Sequence, residues 1–282
     1  MKVAVATDFS VRSDRALLRA TLMARRTGAG LVLIHVVDED QPPELIASAQ
    51  RSASALLDAT SRTLQEQGIA AEPLVTVADV AGGILDAAAA SACDLVVLGP
   101  HRSRPLDVFT GTTVERVLRI SRIPLLVAVD TPTRAHTRTL IALDFDEPSR
   151  AAGIAALELG VFDHTDVALL HVLDASAEGA LERRAMTDPG AIRDYRAFEQ
   201  QQAAEKLQAL VDEIGLTGAT MRLVPLTNTL ARTILESAKQ ALADLVVIGT
   251  SQRKGFERLL IGSVTSDIIQ DAHRDILIVP VP

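Results

Sequence analysis

The residues of this 282-residue chain that could do chemistry occur in pairs. Asp8 and Asp144 each follow a short apolar run, as do His35 and His171, and Gly99 and Gly249. An aspartate at a strand end can bind backbone amides, a ribose hydroxyl or magnesium, or act as a base. The two histidines could ligate metal, but neither has a second His or Cys at ligand spacing, so we read each as an imidazole satisfied locally. The most informative stretch is Gly249-Thr250-Ser251-Gln252-Arg253-Lys254-Gly255, followed by Gly262-Ser263-Val264-Thr265. A strand ending at glycine, a polar loop, and Gly-Ser opening a helix would offer backbone N–H groups to phosphate oxygens, with the Ser263 and Thr265 hydroxyls beside them. Arg253 and Lys254 would add positive charge. The same pattern also serves ordinary turn and N-cap chemistry. No G-x-S-x-G elbow sets a serine nucleophile against a base, and Cys93, at the end of an alanine-rich helix, reads as a packing residue.

Positioning these groups requires elements, and the sequence supplies them twice. Val3-Ala4-Val5-Ala6-Thr7-Asp8-Phe9 matches Leu140-Ile141-Ala142-Leu143-Asp144-Phe145, Leu33 to Asp38 matches Leu169 to Asp174, and Asp94 to Gly99 matches Asp244 to Gly249. The offset is 136 residues for the first two pairs (8 to 144, 35 to 171) and 150 for the third (94 to 244). The second copy therefore carries 14 extra residues, expected in the polar stretch Asp174 to Phe198, where Asp188-Pro189-Gly190 reads as a turn. The chain reads as a tandem duplication, with domains at 1–131 and 138–282 and a linker around Pro132 to Thr137. In the first copy, strands are expected at 2–7, 30–37, 72–77, 94–99 and 124–129, and helices at 11–28, 43–67, 80–92 and 111–121. Continuous apolar strands alternating with helices predict α/β architecture: two doubly wound parallel sheets, each covered on both faces. Ligands of such sheets bind beyond the carboxyl ends of the strands, where strand order reverses.

Composition narrows the function. Hydrophobic residues make up 48% and charged residues 23%, enough for packed cores. Aromatics are 2% and the formal charge is −8, which together argue against a nucleic-acid surface. One cysteine excludes a disulfide framework. With neither a signal-peptide layout nor an apolar stretch near the ~20 residues needed to span a bilayer, a soluble, cytoplasmic protein without membrane partners is expected.

The arrangement resembles the universal stress protein family, as a tandem two-domain member, across nearly the whole chain. Ala6-Thr7-Asp8-Phe9-Ser10, Leu33-Ile34-His35-Val36-Val37, Asp94 to Gly99, Asp244 to Gly249, Gly262-Ser263-Val264-Thr265 and the closing stretches Ile123 to Val129 and Asp275 to Pro280 carry it. The resemblance implies the adenine nucleotide alpha hydrolase-like fold, and its nucleotide-binding members show G-x2-G-x9-G-[ST]. Gly249, Gln252, Gly262 and Ser263 fall on that spacing, with Gln252 in place of the second glycine. By resemblance Ala142 and Asp144 lie near adenosine, Val172 beside the adenine, and Ile248 and Gly249 under the ribose and phosphates. Thr250, Ser251, Gly262, Ser263, Val264 and Thr265 then complete a cradle for ATP or a related adenine nucleotide, with magnesium as its companion ion. A glutamine forced left-handed at position 252 would cost roughly 1–2 kcal/mol, weakening such a site about tenfold. The first copy departs further: Pro100 lacks an N–H, Arg102 replaces the second glycine, and Gly99 to Gly111 is one residue shorter than Gly249 to Gly262. The second copy is therefore the favoured site, and Arg102 and Arg104 could still grip an anion in the first.

Three classes remain open on sequence: a nucleotide-binding regulatory protein of the stress response without strong catalysis, a non-binding tandem scaffold acting through an unidentified protein partner, and a nucleotide-fold enzyme. The last lacks an S-G-G-x-D-S, H-I-G-H or K-M-S-K-S signature. The closing strands, rich in Val, Leu and Ile, would be exposed sheet edges unless paired. Pairing with each other makes the chain a pseudo-two-fold dimer of its own halves, with homodimerisation left open.

Overall fold

The computed structural model describes residues 1–100, 112–173, 189–251 and 262–281. The first half runs β1 (Lys2–Ala6), α1 (Val11–Thr27), β2 (Gly30–Asp38), α2 (Pro43–Glu66), β3 (Ala71–Ala78), α3 (Val80–Ala90), β4 (Leu95–Leu98), α4 (Thr113–Ile120) and β5 (Leu125–Val127). The second runs β6 (Arg138–Ala142), α5 (Glu147–Glu158), β7 (Asp166–Leu173), α6 (Pro189–Ile214), β8 (Thr220–Pro225), α7 (Leu230–Gln240), β9 (Leu245–Ser251), α8 (Ser263–Asp271) and β10 (Asp275–Val281). All ten strands form one sheet, in the order β3-β2-β1-β4-β5-β10-β9-β6-β7-β8. Every pairing within a half is parallel, and the halves meet antiparallel through Ile276↔Val127, Leu277↔Leu126 and Ile278↔Leu125. The apolar closing strands thus cover one another, as the edge argument requires.

Helices on both faces make the strands apolar on both. Val3, Val5, Leu31, Leu33, Leu95 and Val97 enter the core under α1 and α2. Their neighbours Ala4, Ala6, Val32, Ile34, Val96 and Leu98 enter the core under α3 and α4. Each core continues across the joint into the second half, so the two repeats share both layers. Helix starts follow local chemistry: Ser10, Asp79, Thr112, Asp146 and Thr229 cap α1, α3, α4, α5 and α7, each accepting a backbone N–H two or three residues into the helix.

One departure from the sequence expectations has a physical reason. Asp188-Pro189-Gly190 reads as a turn, but Pro189 is the first residue of α6, where proline's missing N–H would have no helical partner anyway. Residues 189–214 therefore correspond to α2, and the added length lies mainly between β7 and α6, where fifteen residues replace the four between β2 and α2. Residues 174–188 of that stretch, including Glu182, Arg183 and Arg184, lie outside the described residues.

Around the linker the halves are joined by a buried polar node. Asp275, fully buried at the start of β10, accepts from Arg19 Nε at 2.6 Å, His136 Nε2 at 2.9 Å, and the Val129 and Asp130 N–H groups at 2.9 and 3.1 Å. Arg19 also donates to the Arg134 carbonyl at 2.8 Å.

Candidate functional site

Strand order reverses in each half where one strand has a neighbour on either side joined through opposite crossovers: β1 between β2 and β4, and β6 between β7 and β9. A crevice opens at each of these points, as doubly wound sheets require. The second holds a cavity of about 290 Å³, at the lower end of small-molecule sites. Ala142, Asp144, Val172, Ile248, Gly249, Thr250, Gly262, Val264 and Thr265 all line it, so the topology brings together nine of the expected site residues. Ser263 does not: it is an exposed first residue of α8, while Ser251 ends the backbone of β9 in register with Val281. Gln252, Arg253, Lys254 and Gly255 lie outside the described residues. The site also includes Leu230 and Ile234 of α7, and Pro148 and Ser149 of α5, which strand-end reasoning did not reach. Their signal was the apolar stripe of α7, whose Ala231, Ile234 and Ala238 are buried toward the sheet.

The two strand-end glycines have a structural duty. A Cβ on Gly249 would stand 2.0 Å from the Pro148 carbonyl oxygen, and one on Gly99 would stand 2.5 Å from that of Arg12. The turn entering α5 or α1 passes so close to the strand end that only glycine fits. Gly262 is different. At φ −56° and ψ 141°, it has no described residue within 4 Å of an added Cβ.

The paired polar residues are held locally. His171 donates from Nδ1 to the Leu143 carbonyl at 3.0 Å, and His35 donates to Thr7 at 2.8 Å. Phe9 stacks on His35 at a centroid distance of 4.6 Å, and Phe145 lies tilted against His171 at 4.4 Å. Asp144 accepts the Phe145 N–H at 2.9 Å, while its own N–H donates to Ser149 Oγ at 2.7 Å. Burial would raise the Asp8 carboxyl, but hydrogen bonds from Ser10 and Ser13 outweigh it and hold the group below the usual carboxylate range. Among the described residues no cluster of three or more His, Cys, Asp or Glu could hold a metal ion.

The first crevice, about 310 Å³, repeats the walls with Ala6, Asp8, Val36, Leu98, Gly99 and Val114. The difference lies at the last helix of each half. Thr112 caps α4 through the Glu115 N–H at 3.3 Å, and the Glu115 carboxylate reaches back to the Thr112 N–H at 2.8 Å. In α8 the cap position is Gly262, and among the described residues no side chain caps the helix N-terminus. Arg102 and Arg104 lie outside the described residues.

The model of the universal stress protein family matches the chain twice, over residues 1–128 and 136–280. The chain belongs to the universal stress protein family. Universal stress protein MJ0531 of Methanocaldococcus jannaschii is 30% identical over 155 residues, covering 52% of this chain and 84% of that protein. A universal stress protein of Mycolicibacterium smegmatis is 25% identical over 310 residues, covering 98% of this chain and 96% of its own. The crystal structure of a universal stress protein from Archaeoglobus fulgidus superposes with a TM-score of 0.69 at 18% identity, covering 99% and 96% of the two chains. The tandem α/β architecture is therefore that of two-domain members of this family. Among the described residues no helix is long and apolar enough to cross a membrane.

Proposed function

We propose that this universal stress protein is a regulatory protein of the stress response, with domains at 1–131 and 138–282, that binds an adenine nucleotide such as ATP in the second crevice. One observation carries the choice of crevice. Among the described residues, the N-terminus of α8 opens beside Gly262 with no capping side chain, whereas Thr112 and Glu115 close that of α4. Free N–H groups and the positive end of a helix dipole facing open space suit phosphate oxygens. In this reading Ala142, Val172, Ile234 and Ile248 enclose the base, Asp144 meets the ribose, and Thr250, Gly262, Val264 and Thr265 border the phosphates. The described residues provide no cluster for magnesium, so no step is assigned to that ion. Regulation rather than turnover fits because His171 Nδ1 is engaged by the Leu143 carbonyl and the ring lies tilted against Phe145 instead of facing a nucleophile.

The test is calorimetric titration of the full chain with ATP, wild type against Gly262→Val. The added side chain meets none of the described residues and sits at a backbone conformation valine tolerates, so the fold is expected to be retained. Loss of at least tenfold in affinity supports the cradle. Equal affinity, or no binding by wild type, overturns it.

A further inference from the structure

We propose that the groove between α5 and the amino ends of β1, β4 and β5 docks an extended peptide of a protein partner. The peptide carries apolar side chains at its centre and a carboxylate for Arg122. Docking there does not require a nucleotide in the second crevice. The surroundings of the joint occur twice about its pseudo-two-fold axis, and one of the two copies already holds a peptide. Strand register matches Asp275 with Pro124 and Val129 with Pro280. The 136-residue offset that sets Arg12 against Gly99 and Pro148 against Gly249 also matches Arg15 with Ala151 and Arg19 with Ala155.

On the first side the seated peptide is the linker. Leaving β5, it passes the starts of β10 and β9 and enters β6, with Asp275 accepting the Val129 and Asp130 N–H groups and Asp244 accepting that of Thr137. Arg15 and Arg19 of α1 hold its carbonyls at Val129 and Arg134, at 2.5 and 2.8 Å. The equivalent path on the second side runs along α5 from Pro280 past Pro124 and Asp94 to Met1. It is a groove of about 590 Å³ that no described residue fills.

The polar anchors are missing from this groove in matched pairs. Ala151 and Ala155 stand where α1 carries its arginines. Pro124 takes the place of the accepting carboxylate, and Pro280, which has no N–H, takes the place of Val129. Donor and acceptor are lost together, so neither is stranded. The result is an apolar floor, completed by Ile154 and Leu159. That floor continues the joint, because Pro124 and Val279 directly follow its last pair, Ile278↔Leu125. The rim is charged. Arg150 is engaged by Glu147 and Glu213 at 3.4 and 2.6 Å, and Asp94 accepts the Lys2 N–H at 2.8 Å. Arg122 is exposed and has no partner among the described residues. An extended peptide meets both surfaces, since its side chains alternate: one face packs on the floor while a carboxylate on the other pairs with Arg122. Such a partner also touches a helix that borders the second crevice, where Pro148 and Ser149 line the crevice and Arg150 and Ala151 line the groove.

The linker segment Asp130 to His136 has seven residues, so the probe is a phage-displayed heptapeptide library panned on the full chain. Enriched peptides are synthesised with a fluorescein label and titrated by polarisation. Sequences with an apolar centre and one Asp or Glu are expected. Ala155→Arg restores the side chain that α1 carries, fills the groove and should weaken binding about tenfold. Arg122→Glu, at an exposed position, should weaken it about threefold, and exchanging the peptide's acidic residue for Lys should recover the loss. That recovery is a result misfolding cannot imitate, and it decides the matter if Ala155→Arg does not fold. No enrichment, or peptides indifferent to both variants, overturns the proposal. Self-association of the chain that Ala155→Arg abolishes also overturns it, because a second copy would then be the occupant.

Discussion

A glycine beside a ligand crevice invites the view that the ligand requires it, and at position 249 the backbone requires it first. Pro148 opens α5 so near the end of β9 that its carbonyl would lie 2.0 Å from any Cβ at Gly249. Separating strand and helix to make room would disturb Ile248, Leu143 and Ala152, all buried. Gly249→Ala is therefore expected to lower stability by about 2–3 kcal/mol, read as a fall in urea midpoint at unchanged slope. Gly262→Ala, with no neighbour to meet, should stay within about 0.5 kcal/mol of wild type. Equal effects at the two positions would contradict the close approach. The sequence pattern shows a Gly at each place and is silent on the difference, because the carbonyl that matters is 101 residues away in the chain.

At the scale of elements, the two halves differ chiefly in how one helix begins. A side chain that caps α8 should stabilise the protein and damage the site together. Gly262→Asp is expected to raise stability by a few tenths of a kcal/mol, since Asp caps slightly better than Gly, while placing a carboxylate where phosphates would lie. Thermal unfolding and ATP titration of the same variant check both signs; a rise in ATP affinity would contradict the phosphate assignment. The elements themselves were largely legible. Strands expected at 30–37 and 72–77 appear at Gly30–Asp38 and Ala71–Ala78, and helices at 11–28 and 43–67 appear at Val11–Thr27 and Pro43–Glu66. Each is a long apolar or periodic segment bounded by turn or cap residues, the strongest local signal available. The site was legible where residues sit at strand ends, as with Ala142, Asp144, Val172 and Ile248. It was not where helices return to the sheet, as with Leu230 and Ile234, because helix docking is a tertiary event. Thr112-x-x-Glu115 is a capping signature in plain sequence, yet its consequence emerges only when α4 is seen to open on the crevice.

The whole molecule is one sheet with one antiparallel joint, and its weakest physical point is the charge buried beside that joint. Asp275 has no counterpart in the first half, where the strand register puts Pro124 at the matching position before β5, so the node breaks the pseudo-symmetry and holds the linker on one side only. Burial outweighs the Asp275 hydrogen bond at His136 and holds that imidazole below its usual value. Burial would raise the Asp275 carboxyl, but bonds from His136 and the charge of Arg19 hold it low. The stable state is thus carboxylate, guanidinium and neutral imidazole, with His136 Nε2 donating. Unfolding lets His136 take up a proton near pH 6.5, above its folded value, so the unfolded state binds more protons below that pH and stability falls as pH is lowered. Asp275 adds to the same trend only below its unfolded value near 3.9. Between pH 6.5 and 5 the histidine should contribute a slope of up to about 1.4 kcal/mol per pH unit. His136→Gln retains an N–H donor toward Asp275 and cannot titrate. Urea unfolding at pH 5, 6 and 7 should therefore show a shallower decline for the variant than for wild type. A wild-type decline shallower than the variant's would mean that His136 carries its proton in the folded protein and that the joint is held by three charges rather than two, and parallel declines would mean that burial does not lower its pKa.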